Sequence, residues 1–458
     1  MKNRILLLMM ASGLIATAQF DKSSCPANLS IFAEFAKVKN YDSAYQPWLE
    51  VRNNCPELNV ATFKYGERIL NHKLKNATDD KAALQASLMS LYDDWLTYFP
   101  NTKRGASEVG KILSSKAQAM VDNKLGTKRE AYEIFDQAFT QDPNSFTSPK
   151  RLYTYFKTAY QLYKQGDKTA EVLFDKYEEV SEKFVLEQTN LAKKLDVILK
   201  KLETGEALTS REQRNKRVYE TNTFAFSTYA GNLDAMISKE SSCENLIPLY
   251  RKNFEANRSN SVWLNRAASR MDAKECADDP LFVELVEALH AINPSANSAY
   301  YLGILKDKAG ESKAALAYYE ESLTLEQDQY RKADILYKIA VKFKKRNLKS
   351  KSRSYARKAL KNRPSMGKAY MLIASLYAAS ANDCGNTQFE KRAVYWLAAK
   401  TARKAATVDS GVKKTALKLA ASYEGRAPSK TDIFTEGRAG ETISFSCWIN
   451  SSVTVPQL

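Results

Sequence analysis

Histidine is almost missing from this chain: His72 and His290 are the only two in 458 residues. Metal sites and nucleophiles that rely on imidazole therefore have little material. No H-E-x-x-H and no C-x-x-C occurs, so zinc has no ligand frame. Gly126-Thr127-Lys128 lacks the G-x-x-x-x-G-K-[ST] spacing of a phosphate loop. Glycine and proline are scarce as well, at 16 and 12 residues, which excludes collagen-like, proline-rich and turn-dense all-β chains. Beyond residue 15 no apolar run approaches the roughly 20 residues needed to span a bilayer.

What is present starts with a leader. Lys2 and Arg4 precede an apolar run from Ile5 to Ile15, and Ala16-Thr17-Ala18 offers a small-x-small cleavage site. This is the three-part pattern of a secretory signal peptide over residues 1–18. No Cys follows directly, so a lipoprotein signal is not expected. Export across the inner membrane leads to a periplasmic protein, with association to the outer membrane as a further expectation. Removing residues 1–18 takes away Lys2 and Arg4 and lowers the net charge from +17 to +15. So basic a chain attracts anionic partners.

A single core rarely grows past about 250–300 residues. The chain is therefore multidomain or a repeat array, and it reads as the latter. Ile31, Phe32 and Phe35 form one helical stripe; Ala44, Trp48 and Val51 form the next, and Pro56 stops it. Ala131, Phe135, Ala138 and Pro143 repeat that spacing. It returns at Gly303, Ala315, Tyr319 and Ser322, at Ala340, Phe343, Ser352, Ala356 and Ala359, and at Ala374, Tyr377, Ala398, Ala402 and Ala405. Small residues sit where two helices cross, and a large ring fills the gap one turn on. The pattern resembles the tetratricopeptide repeat, a 34-residue helix–turn–helix unit. It is strongest over 25–58 and 296–366 and weakest over 59–102, where about ten extra residues separate the helices.

The fold class expected is all-α: a right-handed solenoid of tetratricopeptide-like helix pairs with a long helical hairpin in the middle and a short β-like cap at the C terminus. The expected division is a signal peptide at 1–18, an N-terminal array at 19–180, a hairpin at 181–240, a C-terminal array at 241–425 and a capping tail at 426–458. The hairpin reads as protruding, with Leu186, Leu191, Leu195 and Ile198 facing Val218, Phe226 and Leu233.

Export places the six cysteines in an oxidising space, and an even count suggests disulfides. In an antiparallel helix pair the start of the first helix lies beside the end of the second. That pairs Cys25 with Cys55 and Cys243 with Cys276, and it leaves Cys384 to staple the tail through Cys447. Cys25-Pro26, Cys55-Pro56, Cys243 to Tyr250, Lys274 to Pro280 and Cys447-Trp448-Ile449-Asn450 together resemble exported multi-repeat proteins of the Bacteroidota. The resemblance implies a periplasmic helical scaffold and carries no site residue.

Chemistry is otherwise thin: no catalytic residue, metal ligand or cofactor is expected. The acidic pairs Glu178-Glu179 and Asp278-Asp279 read as helix-surface or helix-start carboxylates rather than glycan-cleaving acids. Leu152, Tyr153, Tyr155, Phe156, Tyr160, Leu162 and Tyr163 read mainly as core. The strongest binding signal is basic: Lys342, Lys344, Lys345, Arg346, Lys349, Arg353, Arg357 and Lys361, with no acid from 342 to 363. Lys349, Arg353, Arg357 and Lys361 step by four and form a stripe. The competing reading is a solvated face.

Three function classes follow. The first is a non-enzymatic scaffold that binds envelope proteins, in secretion or outer-membrane assembly. The second is a module that binds anionic lipid or acidic glycan through the stripe. The third is a glycan-acting enzyme. Nucleic acid is not expected as a partner outside the cytoplasm, and no transmembrane segment is expected.

Overall fold

The computed structural model describes residues 22–458, so the leader expected at 1–18 lies outside the described residues. The chain divides into two compact units, one ending at Arg151 and one running from Leu152 to Leu458.

The first unit holds α1 (Cys25–Lys37), α2 (Tyr41–Asn54), α3 (Ala61–Asn76), α4 (Lys81–Tyr98), α5 (Val109–Asn123) and α6 (Lys128–Gln141); α7 (Pro149–Lys164) begins in it. α1 pairs with α2, α3 with α4 and α5 with α6. Local chemistry sets the helix starts. Asn40 accepts a hydrogen bond from the Ser43 amide to open α2, and Thr127 and Glu130 form a reciprocal capping box at α6. The core is built around Trp48, which is fully buried with Phe32, Phe63, Leu88 and Trp95. Its indole Nε1 donates to the Thr62 carbonyl at 2.7 Å. Gly66 lies so close that a Cβ there would sit 2.6 Å from Trp48 Nε1. The segment that matched the repeat least, 59–102, thus forms a full helix pair around that contact. The extra residues expected between its helices lie within them instead: only 77–80 separate α3, of 16 residues, from α4, of 18.

The second unit continues with α8 (Ala170–Glu203), α9 (Ser210–Ile237), α10 (Cys243–Asn257), α11 (Ser261–Ala273), α12 (Pro280–Ile292), α13 (Ala296–Lys308), α14 (Ser312–Leu325), α15 (Gln329–Lys345), α16 (Lys349–Asn362), α17 (Gly367–Ala378), α18 (Gln388–Val408), α19 (Lys413–Glu424) and α20 (Lys430–Glu436). The pairs α11–α12, α13–α14, α15–α16 and α17–α18 stack in sequence, and α19 packs on α18. The tetratricopeptide-like pairing is plain at α13–α14. A Cβ on Gly303 would lie 2.5 Å from the Tyr319 ring, and Tyr319 in turn meets Phe343 of the next pair edge-on. Each pair buries its apolar face only because the next pair covers it. The aromatic run of α7 is mostly core: Leu152, Tyr155, Phe156 and Leu162 are buried.

α8 and α9 form the long antiparallel hairpin. Phe184 and Phe226 meet edge-on inside it, and a Thr209–Glu212 capping box opens α9. The hairpin does not stand away from the helix stack as the sequence suggested. Asp196 accepts hydrogen bonds from the Tyr330 hydroxyl (2.8 Å) and the Ser365 amide (2.9 Å), and Lys193 pairs with Asp328 at 2.8 Å. Leu195 and Leu199 pack on Val408 and Tyr370. Leu186 and Val218, expected inside the hairpin, are half exposed, while Phe226 and Leu233 are buried. A stripe that serves two partners, the sister helix and the stack, cannot be assigned from helical spacing alone.

Glu178 also departs from the surface position expected for it. It is held on two N–H groups of Arg270 (2.6 and 2.9 Å), and both residues are nearly buried. Burial pushes its carboxyl up to about 7 from an ordinary 4.5, against the opposing pull of Arg270. Between those values the native state keeps a proton that the unfolded chain releases. This group therefore lowers stability as pH rises from about 4.5 to about 7. Glu178→Gln should flatten that fall, by about 3 kcal/mol across the window. Unfolding midpoints measured from pH 4.5 to 7.5 check it, and an unchanged slope would reject the assignment.

The tail closes the second unit. β1 (Thr442–Phe445) pairs antiparallel with β2 (Ser451–Thr454), with Ile443 opposite Val453. Ile443, Phe445, Ile449, Val453 and Val455 are buried, so the small hairpin presents an apolar face to the helices. Trp448 Nε1 donates to Ser380 Oγ at 3.1 Å.

The six cysteines form Cys25–Cys55, Cys243–Cys276 and Cys384–Cys447, with Cα separations of 6.4, 5.5 and 5.5 Å. The first bridge joins the start of α1 to the end of α2. The third ties the tail to the loop between α17 and α18. Among the described residues no helix is long and apolar enough to cross a membrane.

Candidate functional site

The hairpin has a consequence for the stack. Where α8 and α9 lie beside α15, α17 and α18 they wall off a cavity of about 530 Å³. One side is Val185, Gln188, Thr189, Ala192 and Leu195 of α8 with Thr223 and Ser227 of α9. The other is Asp334, Tyr337 and Lys338 of α15, Arg363, Lys368 of α17, and Asp409 after α18. A second cavity of about 550 Å³ adjoins it, sharing Val185, Asp334 and Lys338 and extending to Asn297 of α13 and to Arg331. Together they make a groove whose floor is the repeat stack and whose far wall is the hairpin.

Charge in the groove is arranged rather than neutralised. Asp334 holds Lys368 at 2.9 Å and lies 3.8 Å from Arg363. The Arg363 Nε is buried and its hydrogen finds no acceptor. Burial shields that donor from the groove, so a ligand meets the exposed polar groups of the lining instead, Lys368 among them. Lys338 is exposed along its side chain, and its ammonium stands over the Tyr300 ring at 5.4 Å. The surrounding protein lowers its pKa, while Asp272 and Asp334 pull it back up. Burial raises the Asp409 carboxyl, opposed by hydrogen bonds from the Gly411 (2.9 Å) and Gly367 (3.2 Å) amides. The lining combines donors, acceptors and apolar walls and includes no His or Cys. That set can hold a backbone or a carboxylate, and it offers no imidazole or thiol for chemistry.

The basic residues singled out from the sequence lie elsewhere, and most act inside the molecule. Lys342 pairs with Asp272 at 2.6 Å, Lys345 with Glu275, and Arg346 with Asp307. Lys344 donates to Ser375 at 3.0 Å. Lys349 donates to the Ala379 carbonyl (2.9 Å) and pairs with Asp383 (3.1 Å). Arg353 donates to the Ile449 and Trp448 carbonyls and lies over the Trp448 ring at 5.0 Å. Arg357 donates to the Tyr377 hydroxyl at 3.3 Å. Lys361 alone of the eight has no partner among the described residues. Several of these pairs are exposed and weak, but a ligand at the centre of the stripe would have to displace Arg353 from the tail.

Other candidates are likewise absorbed. His72 meets Asp42 at 3.3 Å and His290 meets Ser298 at 3.0 Å. Asp279 caps α12 and pairs with Arg251, and Asp278 pairs with Lys308 at 2.5 Å. Among the described residues, no three His, Cys, Asp or Glu side chains come together as a metal site would need. Arg363, the last residue of the basic run 342–363, was the one charged groove residue that the sequence had singled out. Asp334 and Lys338 stand four apart on α15 like any solvated face, Lys368 lies on α17, and only the docked hairpin makes them neighbours of Thr189 and Ser227.

No protein-family model matches the chain, and no curated protein matches it. Solved structures do match at low identity. A tetratricopeptide repeat protein from Parabacteroides merdae aligns over 68% of this chain and 97% of its own, at 12% identity and a TM-score of 0.24. Yeast Tom70 aligns over 90% and 99%, at 11% identity and 0.28. A human IFIT1 dimer with m7Gppp-AAAA aligns over 89% and 95%, at 14% identity and 0.27. The helix-pair architecture stands on the chain's own packing.

Proposed function

We propose that this chain is a non-enzymatic scaffold of the cell envelope that holds partner proteins in the periplasm, in secretion or outer-membrane assembly. The observation that carries the reading is the groove between the hairpin and the stack. Its Lys338, Arg363 and Lys368 side chains in the lining and its apolar wall at Val185, Ala192 and Leu195 suit an extended segment of a partner. Three disulfides fit an oxidising compartment, and the leader-like residues 1–18 supply a route to it.

The reading is tested by tagged pull-down from crosslinked envelopes. Wild type should return a defined set of proteins. Lys338→Glu with Arg363→Gln should reduce their recovery at least tenfold. Lys361→Glu, which alters a free surface cation away from the groove, should leave recovery unchanged. Equal recovery with the groove variant would reject the groove as the binding surface.

A further inference from the structure

A second cleft in the same unit, separate from the groove, lies between α9 and α19 over the end of α18. It is open to solvent and measures about 1000 Å³. Lys216, Glu220, Thr221 and Phe224 form one wall; Lys413, Lys414 and Leu417 form the other; Arg403, Ala406, Thr407 and Ser410 lie between them. Ser410 Oγ donates to the Glu220 carbonyl at 2.6 Å and fixes the two walls at the base.

Two features of this cleft are unusual together. Phe224 is 53% exposed and Leu417 41%, so large apolar groups from both walls remain in water. The unpaired charge around them is of one sign. Lys216 is answered by Glu220, and Arg403 by Glu424 at 2.6 Å. Lys413 and Lys414 have no partner among the described residues, and Lys418 extends the same surface one turn along α19. Cations left unpaired beside exposed apolar rings describe the complement of their occupant: a segment with an apolar stripe flanked by carboxylates.

We infer that this cleft docks an acidic amphipathic helix of a partner protein. Two helix walls that each present a large apolar side chain take a third helix by ordinary side-chain interdigitation. The stretch from Lys216 to Phe224 covers about two turns, a match for anchors at i, i+4 and i+7. An anionic bilayer offers the same charge but not the same shape. Phe224 on α9 and Leu417 on α19 face one cleft, so a helix laid along it contacts both at once. The unpaired lysines steer the encounter, and the apolar contacts hold it.

The test places the photo-crosslinker p-benzoylphenylalanine at Phe224 of the full chain, in cells, and maps the adducts by mass spectrometry. A second site at Val38, which is 74% exposed in the first unit, serves as control. The expected adduct is one partner segment that carries acidic residues around an apolar stripe and is absent from the Val38 sample. Lys413→Glu with Lys414→Glu should reduce it at least fivefold. A lipid adduct, an adduct that survives the charge reversal, or labelling no greater than at Val38 would overturn the inference.

Discussion

Replacing Trp48 with alanine should cost the first unit about 3–5 kcal/mol, the range for deleting a large buried aromatic. The side chain is fully buried, touches Gly66 of the facing helix and hands its indole hydrogen to Thr62. Truncation leaves a cavity between two helix pairs and a carbonyl without that donor. Trp48→Phe separates the two effects. It keeps most of the volume and loses only the hydrogen bond, so its cost should be about 1–3 kcal/mol. Denaturant unfolding followed by circular dichroism reads both. A Trp48→Ala loss below about 1 kcal/mol would mean the ring is not the keystone of this core.

The second large effect concerns the tail. Cys384 and Cys447 close a loop with a sequence separation of 63, and a bridge over such a span contributes about 2–4 kcal/mol. Removing both sulfurs in Cys384→Ala with Cys447→Ala should loosen the tail. It should become the first site cut in limited proteolysis, while the helical signal of the chain persists. Adding Arg353→Gln should release the tail further, since Arg353 holds the Ile449 and Trp448 carbonyls. The array end would then expose the surface around Tyr377, which packs against Trp448 at 6.1 Å. A tail that stays resistant in the triple variant would contradict its role as a cap.

Much of the architecture was legible because repeat packing is local. Small residues such as Gly303 and Ala315, followed by Tyr319, announce a close crossing and the ring that fills it. Cys25–Cys55 and Cys243–Cys276 were legible for the same reason, since a helix hairpin brings its ends together within about 35 residues, and Cys384–Cys447 followed as the remaining pair. The hairpin's docking was not legible. It depends on Asp196 meeting Tyr330 and Ser365, on Lys193 meeting Asp328 and on Lys404 meeting Glu203, and no periodicity connects those positions. One trace did exist. Asp409-Ser410-Gly411 is a polar break after α18, and a Cβ on Gly411 would lie 2.2 Å from Ser227 Oγ, so that glycine marks where α9 presses on the stack. The pairing of the basic run was not legible, for a physical reason. Sequence shows where cations are, whereas a fold decides which of them meet a carboxylate or a carbonyl.

The central claim is that the groove between the hairpin and the helix stack grips partner proteins. The most direct test compares proteins recovered from crosslinked envelopes by wild type and by Lys338→Glu with Arg363→Gln. Loss of the same defined partners from the groove variant, with Lys361→Glu unaffected, is the result expected. Recovery of those partners at wild-type levels by the groove variant would contradict it.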